Sequence, residues 1–138
     1  MPLHWNVHSD SRFFEVICDG NVEAHEVHAM LDALVGARAL GYRKLFDGTR
    51  GETNISAMEI VDIGVRMRNL HRGDVKLGPL AVAIADDKYV LLGRALGMLA
   101  APRRPMRVFK TVQQAHRWLN SPAILASVPE PESEVLSA

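Results

Sequence analysis

The chain has 138 residues, of which 48% are hydrophobic, and its 16 basic and 16 acidic side chains give a net charge of zero. This length is that of one domain, and this composition excludes a disordered or fibrous protein. Zero net charge argues against a nucleic-acid partner, and the single cysteine, Cys18, excludes a disulfide framework and a cysteine-rich zinc module.

The N-terminal part predicts a hairpin and then a helix. Residues 3–8 and 12–19 are typical of strands, and the turn-forming residues between them favour antiparallel neighbours. Apolar side chains with helical spacing predict a helix over 22–40. Asn21 is its predicted N-cap, after a strand break at 19–21, and Gly41 its predicted stop.

The middle of the chain predicts a short strand, a loop and a second helix. Residues 43–47 are typical of a strand, and 48–54 are predicted to form a loop. Ser56 and Glu59 then have the spacing of a capping box, in which each side chain bonds the other residue's backbone N–H. Apolar residues with helical spacing follow, so a helix is predicted behind Ser56.

The remaining elements alternate strand and helix. The apolar run 80–85 predicts a strand covered on both faces, followed by an apolar helix over 87–101 in which Gly93 indicates close packing. Residues 106–109 are the last predicted strand. Thr111 and Gln114 have capping-box spacing and begin a short helix.

The resulting order, β-β-α-β-α-β-α-β-α, predicts an α/β domain with a mostly parallel sheet and an N-terminal hairpin. We expect residues 1–120 to form this single domain and residues 121–138, rich in proline and glutamate, to form a flexible acidic tail. Neither a secretory signal nor a bilayer-length apolar stretch is recognisable, so we expect a cytoplasmic protein without an integral membrane segment.

Three segments, in this order and spacing, resemble the SpoIIAA-like branch of the STAS family, which comprises sulfate-transporter and anti-sigma-factor-antagonist type domains. They are Leu45-Phe46-Asp47 with Ser56 at the next helix start, strand 80–85 with Asp86-Asp87 and the following 92–98, and 108–111 with Ala115, Trp118 and Leu119. The resemblance implies a SpoIIAA-like fold and a non-catalytic regulatory or interaction domain, of the kind that anti-sigma-factor antagonists represent.

The same branch is compared structurally with CRAL-TRIO lipid-binding domains, which implies an alternative function as a small-molecule or lipid-binding module. Such a module would need an apolar pocket of a few hundred Å³ on the scale of ligand sites. Its candidate lining residues are Val65, Met67, Leu91, Leu92, Leu96 and Met98. The implied partner is therefore a regulatory protein or a small apolar or anionic ligand, and a homo-oligomer is possible.

Ser56 is the candidate phospho-acceptor, because a helix N-terminus accommodates added negative charge. Classical antagonists carry an Asp-Ser-Ser-Gly-Leu type phrase here, whereas this chain has Asn-Ile-Ser-Ala-Met at 54–58. The alternative is that Ser56 only caps the helix. The candidate ligand or partner loop around it consists of Asp47, Thr49, Thr53, Asp86 and Arg94.

Two metal hypotheses remain open beside these. Asp47, Asp86 and Asp87 follow strand ends and could bind Mg²⁺ through their oxygens, or the last two could cap the following helix. His25 and His28 are neighbours on a helix, near Glu26, but lack a complete ligand motif. We assign no metal, no cofactor and no catalytic residue.

Overall fold

The computed structural model describes residues 2–70, 76–100 and 104–129, with backbone alone at residues 91 and 95–100. Within these residues, five strands form one sheet in the order β1-β2-β3-β4-β5. The first pair is antiparallel and the others are parallel, as predicted. The strands are β1 Leu3–His8, β2 Phe13–Val22, β3 Arg43–Thr53, β4 Leu80–Ala83 and β5 Met106–Phe109.

Helices cover both faces of this sheet. They are α1 Ala24–Gly36, α2 Ala57–Leu70, α3 Asp87–Ala100, α4 Val112–Leu119 and α5 Pro122–Ala126. Apolar residues of α1 and α2 pack on the face of the sheet that carries Phe14 and Val16. Residues of α4 and α5 pack on the opposite face, against Leu45 and Ala81. The predicted α/β class, with its N-terminal hairpin, is confirmed.

Successive residues of β3 serve the two faces in turn, as the pleat of a strand requires. Leu45 is fully buried against α4, whereas Phe46 packs with the core on the α1 and α2 side. Lys44 shares the parity of Phe46 and therefore lies on the same side, among apolar residues. This parity places a lysine inside the larger of the two helix-sheet layers.

Strands β2 and β3 are longer than predicted. The predicted break at 19–21 and loop at 48–54 are both wrong, because these segments pair with each other from Asp19↔Arg50 to Val22↔Thr53. A register shift between Ile17 and Asp19 makes the extension possible. Just beyond it, Gly20 has a φ of +107°, a conformation that side chains disfavour.

Helix α1 is correspondingly shorter than the predicted 22–40. Its N-cap is Glu23, which forms a capping box with Glu26, rather than Asn21, which still belongs to β2. It ends at Gly36 with Ala37 as C-cap, so the predicted stop at Gly41 is also wrong. Ala39 and Leu40 are instead buried in the connection to β3.

The first part of the predicted tail is folded. Residues 122–126 form α5, and its Ile124 is buried in the core that α4 makes with the sheet. The carbonyl oxygen of Pro129 accepts a hydrogen bond of 2.8 Å from Arg12. Apolar burial and this bond hold residues 121–129 to the sheet, so the boundary at 120 is wrong; residues 130–138 lie outside the described part.

Helix α3 approaches the sheet closely at Gly93. A Cβ at this position would lie 2.9 Å from Ile84 Cδ1 and 3.7 Å from Val82 Cγ1. Glycine therefore lets the helix backbone rest on the β4 side chains, and the predicted close packing is confirmed at this residue.

Candidate functional site

An apolar cavity of about 180 Å³ lies between the sheet and helices α1, α2 and α3. The sheet and the three helices both contribute lining side chains, which are mostly apolar. Its lining includes Val16, Cys18, Val82, Ile63, Met67 and Leu92. The volume is slightly above the roughly 150 Å³ of an engineered apolar cavity that stays dry and binds benzene. It therefore suits a small apolar group.

The predicted pocket lining is partly correct. Met67 and Leu92 do line the cavity, on the sheet-facing sides of their helices. The prediction that Val65 lines the pocket is wrong, because its side chain is 47% exposed on the outer side of α2. The side chains of Leu91, Leu96 and Met98 lie outside the described residues. The cavity is also smaller than the few hundred Å³ expected, so it suits a short ligand.

Lys44 lines the cavity at the amino-terminal end of β3 and is only 6% exposed. Its Nζ donates hydrogen bonds to the carbonyl oxygens of Leu40 at 2.6 Å and Tyr42 at 3.0 Å. Burial lowers the pKa of Lys44 well below its ordinary value, and the nearby positive charge of Arg104 lowers it further. In its charged ammonium form the side chain has three N–H donors, so these two bonds leave one for another acceptor.

Arg104 lines the same cavity and is 8% exposed. Its Nε and Nη2 atoms are buried without a hydrogen-bond partner in the part of the chain that the structure describes. Burial also lowers the pKa of Arg104 to about 10, which leaves the guanidinium charged at neutral pH. A buried, unpartnered guanidinium costs free energy unless an acceptor satisfies it.

Lys44 and Arg104 lie at the same end of the sheet, where the parallel strands β3, β4 and β5 begin. Lys44 pairs with Leu80 across β3 and β4, and Leu80 pairs with Met106 across β4 and β5. Arg104 precedes Met106 by two residues, and the Pro105 carbonyl between them accepts a hydrogen bond from the Leu80 N–H at 2.9 Å. The amino-terminal end of the cavity is therefore positively charged.

Sequence reasoning missed both cations. Lys44 had a readable signal, because it stands two residues before Phe46 in a strand whose two faces are both covered. Arg104 had none, since its burial depends on where the segment before β5 meets the end of the cavity.

At the opposite end of the cavity lies a shallow polar depression of about 340 Å³. Two predicted loop residues, Thr49 and Asp86, line it together with Arg50 and Lys88. Gly51, Glu52 and Tyr89 line both the depression and the apolar cavity, so the two adjoin. The structure thus brings part of the predicted loop to the cavity's carboxyl-terminal end.

Of the other three predicted loop residues, Asp47 and Thr53 form hydrogen bonds within the fold. Asp47 Oδ1 accepts hydrogen bonds from Thr49 N at 3.1 Å and Thr49 Oγ1 at 2.6 Å. Thr53 Oγ1 donates to the Val22 carbonyl oxygen at 2.8 Å, and Thr53 also lines the apolar cavity. Arg94 is exposed on α3.

The strand-end aspartates have other partners in the structure and do not form a shared cluster among the described residues, so the magnesium hypothesis stays a prediction. Asp86 Oδ1 accepts the Lys88 N–H at 2.9 Å at the start of α3, which is the capping alternative, and Asp87 pairs with Lys110. Within residues 2–70, 76–100 and 104–129, one cluster of acidic and histidine side chains is compact enough to share an ion. It consists of Glu23, His25 and Glu26.

His25 and His28 have different partners in the structure. His25 lies 3.3 Å from the carboxylate of Glu23, whereas His28 Nδ1 lies 3.0 Å from Arg66 Nη1. Arg66 also pairs with Asp32, which ties α2 to α1. His28 therefore has a packing role between two helices.

Ser56 caps α2 through the predicted capping box. The Glu59 N–H donates to Ser56 Oγ at 3.2 Å, and the Ser56 N–H donates to Glu59 Oε1 at 3.0 Å. The backbone bond from Ser56, and then the bond with its side chain, lower the pKa of Glu59. Both side chains are exposed, so the hydroxyl is accessible while it caps.

Cys18 is buried in β2, as predicted, and it lines the cavity. Burial raises the pKa of its thiol to about 12, with smaller contributions from the charges of Asp47 and Glu26. A thiol with this pKa stays protonated at neutral pH.

No protein-family model matches the chain, and no curated protein matches it. Among solved structures, it is similar to an uncharacterized protein from the DUF3478 family with a SpoIIAA-like fold, from Shewanella loihica PV-4. The TM-score is 0.58 and the identity 16%, over 85% of this chain and 91% of that chain. The chain therefore has the predicted SpoIIAA-like fold. None of its described helices combines the length and apolar character needed to cross a bilayer.

Proposed function

We propose that this protein is a non-catalytic module that binds a small, largely apolar ligand between its sheet and helices α1–α3. The observation that carries the proposal is the apolar cavity of about 180 Å³ in the centre of that layer. At roughly 24 cal/mol per Å³, an unfilled volume of this size costs about 4 kcal/mol of stability. A ligand that fills it recovers part of that free energy.

The chemistry of the lining supports binding rather than catalysis. The cavity-facing thiol of Cys18 is held protonated by burial, and the remaining lining on the sheet is mainly apolar. Ligand sites of this kind take their affinity from apolar contact and their orientation from a few polar groups at the ends. The cavity has polar residues at both ends.

The test is a calorimetric measurement of the binding of 1-octanol, a neutral apolar probe. We expect wild-type protein to bind it with a negative heat-capacity change, the marker of apolar burial. Val82→Phe fills part of the cavity from β4 and is expected to weaken binding at least about tenfold, a change of about 1.4 kcal/mol. Val61→Phe, on the exposed side of α2, is the matched control and should bind as wild type does.

Unchanged octanol affinity in folded Val82→Phe would contradict the proposed site. If Val82→Phe does not fold, Ile63→Ala provides the complementary measurement, because it enlarges the cavity from α2. It should move the preferred alcohol to a longer chain. An unchanged chain-length preference in that variant would also count against the cavity.

A second candidate function is regulation through a protein partner, as the SpoIIAA-like fold of the similar structure suggests. The observation favouring it is an apolar stripe on the outer side of α2, directly behind Ser56. It consists of Met58, Val61 and Val65, with exposures of 72%, 43% and 47%. Apolar side chains grouped on an exposed surface are typical of contact sites. A phosphate on Ser56 would displace the Glu59 carboxylate from the cap through like-charge repulsion.

Ser56 variants separate its capping role from a regulatory one. Ser56→Ala should lower the free energy of unfolding by about 1 kcal/mol, whereas Ser56→Asp keeps an N-cap acceptor and should stay within about 0.5 kcal/mol. Urea denaturation measures both. If Ser56 also regulates, the two variants must differ in partner capture, and mass spectrometry must find phosphate on Ser56 after incubation with a kinase-containing extract. Equal capture and no phosphate leave capping as its role.

A further inference from the structure

The amino-terminal end of the cavity carries positive charge that the described residues do not neutralise. Lys44 and Arg104 both line it and both are buried. Glu26, the buried carboxylate of the described core, accepts a bond from the Glu23 N–H at the start of α1 and does not line the cavity. Lys44 Nζ donates to two neutral carbonyl oxygens.

The atoms left unpaired on Arg104 identify the shape of the missing group. Nε and Nη2, which have no partner among the described residues, form one edge of the planar guanidinium. Two N–H groups on one edge point in parallel and match the two oxygens of a carboxylate. Lys44 lines the same cavity and can supply a further N–H. Such bonds between ionised groups are about twice as strong as neutral ones.

We propose that the cavity holds a short amphiphilic carboxylate, with its apolar chain along the sheet and its carboxylate bound by Arg104 and Lys44. This inference rests on the proposed function and names the ligand class. The apolar lining selects the chain, and the buried cations select the charge. Because Lys44 and Arg104 are 6% and 8% exposed, the charge preference is a property of the site and not of the general surface.

The lowered pKa values of the two cations support this arrangement. Both shifts arise mainly from burial without a compensating negative charge. A bound carboxylate supplies that charge and raises both values again. The same pairing removes the desolvation cost of leaving a guanidinium edge unbonded.

The experiment compares four probes with the same eight-carbon chain: octanoate, 1-octanol, octylammonium and octyl phosphate. At neutral pH, wild-type protein should bind octanoate at least about tenfold more tightly than octanol, the scale of a charged hydrogen bond. Octylammonium should bind more weakly than octanol, because it brings a third positive charge. Octyl phosphate should not exceed octanoate, because its headgroup is larger and carries a second negative charge that must also be desolvated.

Variants assign the preference to these residues. In Arg104→Met, octanoate should fall to the affinity of octanol, while octanol binding stays. Lys44→Met is the second variant and should lose part of the octanoate preference. Arg107→Met is the matched control, since Arg107 is an exposed arginine on the opposite face of β5 and should leave all four affinities unchanged.

The outcomes separate this inference from the proposed function. Equal octanoate and octanol affinities would overturn the carboxylate assignment and leave an apolar site. Tighter binding of octyl phosphate would replace the carboxylate with a phosphate ester. A preference that survives in folded Arg104→Met would remove Arg104 from the site. Failure of all four probes to bind would overturn the apolar site itself.

Discussion

Gly78→Ala is expected to destabilise the protein by at least about 3 kcal/mol, the upper end of overpacking effects. A Cβ at Gly78 would lie 2.3 Å from the carbonyl oxygens of both Gly41 and Tyr42. These are backbone atoms, so a rotamer change cannot relieve the clash. The Gly78 N–H also donates to the Leu40 carbonyl oxygen at 2.8 Å, which holds the two segments together.

This contact also determines the position of Lys44. The carbonyl oxygens of Leu40 and Tyr42 accept the bonds from Lys44 Nζ, and Gly78 lies against the same turn. Any shift that admits a Cβ therefore moves the acceptors of the buried ammonium. We expect Gly78→Ala to weaken octanoate binding as well as stability.

Gly36→Ala is the matched control, because a Cβ there meets nothing within 4 Å at the end of α1. It should be neutral or add up to about 1 kcal/mol, since alanine restricts the unfolded chain. Urea denaturation of both variants measures the difference. If Gly78→Ala is as stable as Gly36→Ala, the close approach of the two segments is not as tight as described.

The order of elements could be predicted from the sequence because it depends on local patterns. The strand at 106–109 and the capping box of Ser56 with Glu59 follow from side-chain type and short spacing alone. The extended ends of β2 and β3 could not, since Gly48–Thr53 contains glycines and polar residues that are typical of loops. That segment becomes a strand because it pairs with 19–22, and such pairing between distant segments overrides local preference.

The site was less predictable than the fold for the same reason. Ser56 and Asp86 were recognisable as helix-start residues, and both do cap helices. Whether a cavity lies between sheet and helices depends on how far apart the layers sit, which helical spacing does not report. Val65 shows the limit, because an apolar residue inside an amphipathic helix turned out to face outward.

Arg104→Met is expected to raise the free energy of unfolding of the ligand-free protein by about 2 kcal/mol, within the range for replacing buried charge by apolar volume. Methionine fills the space of the side-chain stem and removes two buried donors that have no partner among the described residues. Arg107→Met, at an exposed position on β5, should change stability by no more than about 0.5 kcal/mol.

Octanoate should narrow this difference in stability, because it binds wild-type protein more tightly than Arg104→Met. A ligand that binds only the folded state adds about 2.7 kcal/mol at a concentration one hundred times its Kd. Wild-type protein should gain that amount, and Arg104→Met, whose octanoate affinity is expected to be about tenfold lower, should gain about 1.4 kcal/mol at the same concentration. Denaturation curves with and without octanoate measure the ligand-free stability of each protein and the stability that it gains from octanoate. If Arg104→Met is less stable than wild type without ligand, the guanidinium serves the fold, and its burial no longer indicates a binding site.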